Sequence, residues 1–172
     1  MREKETDLFG EGLIINQWDY PVKRGSFGVL GSIRKNGCGS IALHNLLRLL
    51  GFESRYWAVL EYFRVHCLSS TVCFGLLGSN PFFIWNYLKK LEKLKFKIYK
   101  IRNEKQAEEI PKDHAVYLNM YFYKFGSHYT ASVFHDGKML ILNDRSAESY
   151  GDYFKKIHAF YMITLGIDKI GG

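Results

Sequence analysis

Residues Asn36 to Gly51 read NGCGSIALHNLLRLLG, and the spacing within them decides what the rest of the chain must supply. Ile41, Ala42, Leu46 and Leu49 recur at helical intervals, and Leu43, Leu47 and Leu50 widen the stripe until little wet face is left. Gly51 offers the left-handed stop that ends such a helix. The pattern predicts a buried helix that opens at Cys38, between Gly37 and Gly39. At that position unpaired amides and the positive end of the helix dipole favour a thiolate over a thiol. The two glycines let another backbone or a ligand come close. The opposing reading is an inert, buried cysteine beside turn glycines, and the remainder of the chain has to decide between them.

At 172 residues and 47% hydrophobic, the chain is long enough for a real core. Twelve Tyr and thirteen Phe make that core aromatic-rich. The longest apolar runs are strand-sized, so no membrane span is expected, and MREKETDLFGEG lacks the apolar core of a secretory signal. The default expectation is a cytoplasmic protein, with signal-less export as the other route. The net charge of +7 draws attention to nucleic acid. Lys89, Lys90, Lys93, Lys95, Lys97, Lys100 and Arg102 alternate with apolar residues, however, which reads as a solvated face rather than a phosphate-binding stripe. Cys38, Cys67 and Cys73 include no CxxC pair and no histidine doublet, so neither a metal site nor a cofactor is expected.

Residues 1 to 35 look irregular and are expected to wrap the surface before the central helix. Arg55 to Val65 has helical spacing, and Cys67 to Ser79 reads as a loop. Asn80-Pro81 is a helix start, and its helix is expected to run through Leu88 and Leu91 to Leu94. Past residue 95 the period becomes strand-like: Phe96 to Ile101, Ala115 to Tyr123, Tyr129 to Phe134, Met139 to Leu142 and Ala159 to Leu165. Asn103 to Ile110 is expected to form a short helix ended by Pro111, and Asp136-Gly137 a tight hairpin. Helices first and an antiparallel sheet after them give an α+β chain, a single domain over 1–172. It divides into a helical lobe over about 1–95 and a sheet lobe over about 96–172.

Six histidines are available as a base for Cys38. His44 lies about 240° around the same helix and points elsewhere. His66, His114, His135 and His158 read as surface residues at loops or ahead of strands. His128 opens the strand HYTASVF, so the sheet end can hold it rigidly beside a cleft. The partner strand, at about 3.3 Å per residue, returns to that end and delivers Asn143 and Asp144. A carboxylate there fixes the imidazole tautomer and leaves its other nitrogen for the thiol. Strand alternation lets only one of the two face His128, and Asp144 is preferred with Asn143 as the alternative. Asn45 is expected to be buried and to satisfy a backbone group.

With these residues in view, NGCGSIALHNLLRLLG resembles the nucleophile helix of papain-like cysteine peptidases. It is most similar to the bacterial branch of bacteriocin-leader-processing peptidases and related small proteins. In SHYTASVFHDGKMLILND, His128 and Asp144 stand sixteen residues apart, as the branch requires, with Asn143 preceding. SNPFFIWNYLKKL resembles the helix between the two motifs. The resemblance spans roughly residues 36 to 145 and implies a papain-like fold. It implies attack by Cys38 on a peptide or protein substrate, with His128 as base, Asp144 as its orienter and the Cys38 amide as one oxyanion donor. The Gln that such enzymes carry about six residues before the cysteine is replaced by Ser32. Gln17 and Asn36 are the candidates for the second donor.

Three functions fit these residues. The first is a thiol hydrolase of peptide or amide bonds. The second is a glutamine deamidase or acyltransferase working through the same acyl-thioester. The third is a catalytically silent binding module on the same fold.

Overall fold

The computed structural model describes residues 12–17, 26–27, 31–72, 78–91, 94–124, 126–135, 138–143, 150–156 and 158–170. A two-stranded ribbon, β1 (Ser26–Phe27) and β2 (Gly31–Ser32), leads into a short helix α1 (Ile33–Asn36). Gly37 then separates α1 from the central helix α2 (Cys38–Leu49). Two more helices follow, α3 (Tyr56–Val65) and the single turn α4 (Cys67–Ser70), before α5 (Pro81–Lys90). The strands are β3 (Leu94–Ile101), β4 (Val116–Tyr123), β5 (Gly126–His135), β6 (Lys138–Leu142) and β7 (Tyr161–Lys169). Helix α6 (Glu104–Glu108) lies between β3 and β4, and α7 (Tyr150–Lys156) between β6 and β7. The five strands form one antiparallel sheet in the order β3-β7-β4-β5-β6, so the chain is α+β.

Helix α2 ends as its sequence requires. Gly51 is left-handed at φ +73°, and the Gly51 and Phe52 amides donate to the Arg48 and Leu47 carbonyls, each at 2.9 Å. Helix α5 starts as expected, with the Asn80 side chain accepting from the Phe82 amide at 3.0 Å. It stops earlier than its pattern suggests. Leu91 turns extended, and Leu94 opens β3 opposite Lys169 instead of closing a helix. Residues Cys67–Ser70 are a helical turn rather than loop, and α7 has no counterpart in the sequence expectations. The 136–137 hairpin lies outside the described residues, while His135 pairs with Lys138 on either side of it.

Alternation along the strands gives the sheet two buried faces. On one, Val116, Leu118, Tyr129, Ala131, Leu165 and Ile167 pack with Ile41, Leu43 and Leu46 of α2. On the other, Tyr117, Tyr121 and Met162 pack with Ala107 of α6 and with Tyr150 and Phe154 of α7. Edge strand β3 exposes Lys95, Lys97 and Lys100, charges that discourage pairing with another sheet. Among the described residues no helix is long and apolar enough to cross a membrane.

Residues 12–17 have no regular structure; Gly12 is exposed and Leu13 to Ile15 are half-buried, while Asn16 and Gln17 are buried. Helix α2 holds them. Asn45 accepts from the Ile14 amide and donates to the Ile14 carbonyl, both at 2.8 Å, which is the backbone role expected of it. His44 meets the Gly12 carbonyl through Nε2 at 2.6 Å and the Ser54 hydroxyl through Nδ1 at 2.9 Å. Because a carbonyl only accepts, Nε2 carries the proton and Ser54 donates to Nδ1. Burial holds the His44 imidazole below its ordinary range, so it is neutral and points away from Cys38. Asn45→Ala removes both bonds to Ile14. It should lower stability by about 2–3 kcal/mol, read as a lower urea midpoint at unchanged slope.

Candidate functional site

Cys38 is the first residue of α2, and the helix packs against β5 and β4 of the sheet. Strand β6 pairs with β5 only as far as Leu142 opposite Ala131. Asn143 then turns off with φ +72°, so among the described residues β5 from Gly126 to Thr130 has no β6 neighbour. In an antiparallel strand the amide and carbonyl of one residue face the same side. At Tyr129 that side is the vacated edge. Its carbonyl is met by Asn143 Nδ2 at 3.5 Å, and its amide is close enough to the Cys38 sulfur to favour the charged form. The Tyr129 nitrogen belongs to the peptide bond that begins at His128. The thiol therefore lies against the His128–Tyr129 peptide, while its own helix contributes the Cys38 and Gly39 amides.

His128 is the third residue of β5 rather than its first, and it is half-buried. Alternation puts Tyr129 on the face that α2 covers and assigns His128 to the other, opposite Tyr121. Tyr123 shares the register of Tyr121, and its phenol is pushed up first by burial and then by the Cys38 charge. Asp144 lies outside the described residues. Asn143, the alternative orienter, is occupied elsewhere: Oδ1 accepts from the Gln17 amide at 2.9 Å and Nδ2 donates to Gln17 Oε1 at 3.0 Å.

The two oxyanion candidates stand on either side of this group. Gln17 is buried beside Asn143, and its Nε2 donates to the Arg34 carbonyl at 2.5 Å. Asn36 sits in α1, where its Oδ1 accepts from the Ser32 amide at 3.3 Å. The Gln17 amide is thus directed to a backbone carbonyl of α1.

Electrostatics at Cys38 run against the sequence expectation. Burial pushes the thiol up to about 11, and the Tyr129, Gly39 and Cys38 amides offset only part of that. The residue is 5% exposed, so desolvation of the thiolate outweighs the helix end. At rest the sulfur keeps its proton. Cys67 is also free, and Cys73 lies outside the described residues.

The glycines flanking Cys38 have separate reasons. A side chain at Gly37 would meet the Ile33 carbonyl at 2.7 Å, so α1 and α2 join closely only through glycine. A side chain at Gly39 would meet Ser79 Oγ at 2.2 Å. Ser79 and the Tyr129 amide were not signalled by the sequence. Ser79 is forty residues away in the chain, and a backbone amide has no residue type to notice. A scan of protein-family models finds none that matches the chain, and a search of the curated proteins finds no match either.

The raised thiol has a consequence for stability. Between pH 9 and 11 the folded thiol holds a proton that the unfolded one, at 9.0, has lost. The stabilisation is complete below that window and is lost as pH rises through it, by about 2–3 kcal/mol. Urea unfolding at the two ends of the window should show the native chain losing that much more than Cys38→Ala. Equal losses in the two proteins would mean an ordinary thiol.

Proposed function

We propose that the chain is a small papain-like thiol hydrolase that opens a peptide or amide bond of a peptide or protein substrate. One observation carries the reading: the Cys38 sulfur, at the start of a buried helix, lies against the peptide bond of the histidine singled out as its base. A thiol near 11 does not attack as a preformed thiolate. His128 acts instead as general base, taking the proton while the sulfur bonds to the carbonyl carbon. The Cys38 amide donates to the carbonyl oxygen as it gains charge. Collapse of that intermediate breaks the C–N bond, and His128 returns the proton to the leaving amine. Water activated by His128 then opens the thioester. Asp144 is the proposed orienter of His128, because the Asn143 amide is committed to Gln17 and the Tyr129 carbonyl.

The burial of Cys38 favours a second reading, a binding module that keeps the papain-like arrangement without turnover. One experiment separates the two. p-Nitrophenyl acetate should release about one equivalent of nitrophenolate per chain as Cys38 is acylated, and Cys38→Ala should abolish this burst. His128→Ala should slow it by about 10²–10⁴-fold. A burst indifferent to His128 removes the base from the mechanism. No burst from the native chain leaves the binding module.

A further inference from the structure

Ser79 packs on the second residue of α2, and its hydroxyl has no use in the resting fold. The residue is 3% exposed, and Oγ has no hydrogen-bond partner. It is not loosely held. Thr71 and Ser79 form a β-bridge, the Ser79 carbonyl accepts from the Tyr129 hydroxyl at 3.1 Å, and the Asn80 amide donates to Ser70 at 2.8 Å. The absence of a side chain at Gly39 makes the room, since Oγ stands 2.2 Å from where a Cβ there would be. The hydroxyl is thus fixed beside the helix end whose Cys38 and Gly39 amides already face the sulfur. An alanine at 79 would give up one heavy atom of packing but would desolvate no hydroxyl, so packing alone does not account for the serine.

We propose that the Ser79 hydroxyl is the second donor to the oxyanion formed when Cys38 attacks a carbonyl, working beside the Cys38 amide. The inference rests on the thiol hydrolase reading and deepens it. As the S–C bond forms, the carbonyl π pair moves to oxygen and the thiol proton moves to His128. The Ser79 O–H and the Cys38 N–H donate to that oxygen. When the C=O reforms, the bond to the leaving group breaks and the donors are released. Cys38 and Ser79 are covered together, and a dry site is where such donors act most strongly. The donor then comes from a segment that precedes α5, rather than from Gln17 or Asn36.

Two reagents isolate the role. Acylation of Cys38 by p-nitrophenyl acetate passes through an oxyanion, whereas alkylation by iodoacetamide does not. Ser79→Ala should slow acylation by about 10²-fold, leave alkylation unchanged, and leave the melting temperature equal or higher. Acylation at the native rate overturns the inference while the hydrolase reading stands. Equal slowing of both reactions overturns it too, because Ser79 would then only shape the site. A native chain with no Cys38-dependent acylation removes the underlying reading and this inference with it. If Ser79→Ala does not fold, Ser79→Gly provides the same comparison.

Discussion

Helix α2 has almost no wet face, and the rest of the structure follows from that. Every residue from Cys38 to Leu47 is buried, including Ser40, His44 and Asn45. A buried polar side chain needs a partner, so each of these fixes another part of the chain. Ser40 donates to the Gly37 carbonyl at 2.9 Å and meets the Tyr56 hydroxyl at 3.1 Å, which sets α3 against the start of α2. His44 and Asn45 hold residues 12 and 14. From there the segment reaches the sheet, where the Asn143 amide donates to the Ile15 carbonyl at 2.8 Å and Gln17 pairs with the Asn143 side chain. Through His44 and Asn45 this apolar helix thus ties residues 12–17 to the end of β6.

The same burial sets the chemistry at Cys38. A helix N-terminus and three amides stabilise a thiolate, and in a wet site they would lower the pKa. Here the cost of removing the charge from water is larger, and the thiol ends above its ordinary value. The arrangement suits a nucleophile that becomes anionic only as its proton leaves for a base. It suits an inert cysteine equally well, and what distinguishes the two is whether His128 takes the proton.

The elements with a strong period were legible in the sequence. Helix α2 with its Gly51 stop, α5 with its Asn80-Pro81 start, and strands β4 to β6 stand where the pattern puts them. The misses have local causes. Leu94 fits a helical stripe as well as it fits a strand, and only its pairing with Lys169 of β7 decides between the two. Helix α7 is short, and its buried Tyr150 and Phe154 are anchored by the far face of the sheet rather than by a pattern of their own. The site was legible only in its residue types. Cys38 and His128 could be named, but strand alternation assigns His128 to the face that α2 does not cover, and no spacing rule reveals that.

The vacated edge at Tyr129 depends on Asn143. Its left-handed backbone ends β6 two register positions short of Tyr129, and asparagine tolerates that conformation better than most residues. Had β6 continued, its backbone would have paired with Tyr129 and closed the place where the sulfur sits. Instead the Asn143 side chain takes the Tyr129 carbonyl, and the amide of the same residue is left for Cys38. A residue read from sequence as a rival to Asp144 for orienting the base thus has another task. It stops a strand next to the place where the start of α2 meets Tyr129, and the thiol lies near the Tyr129 amide there.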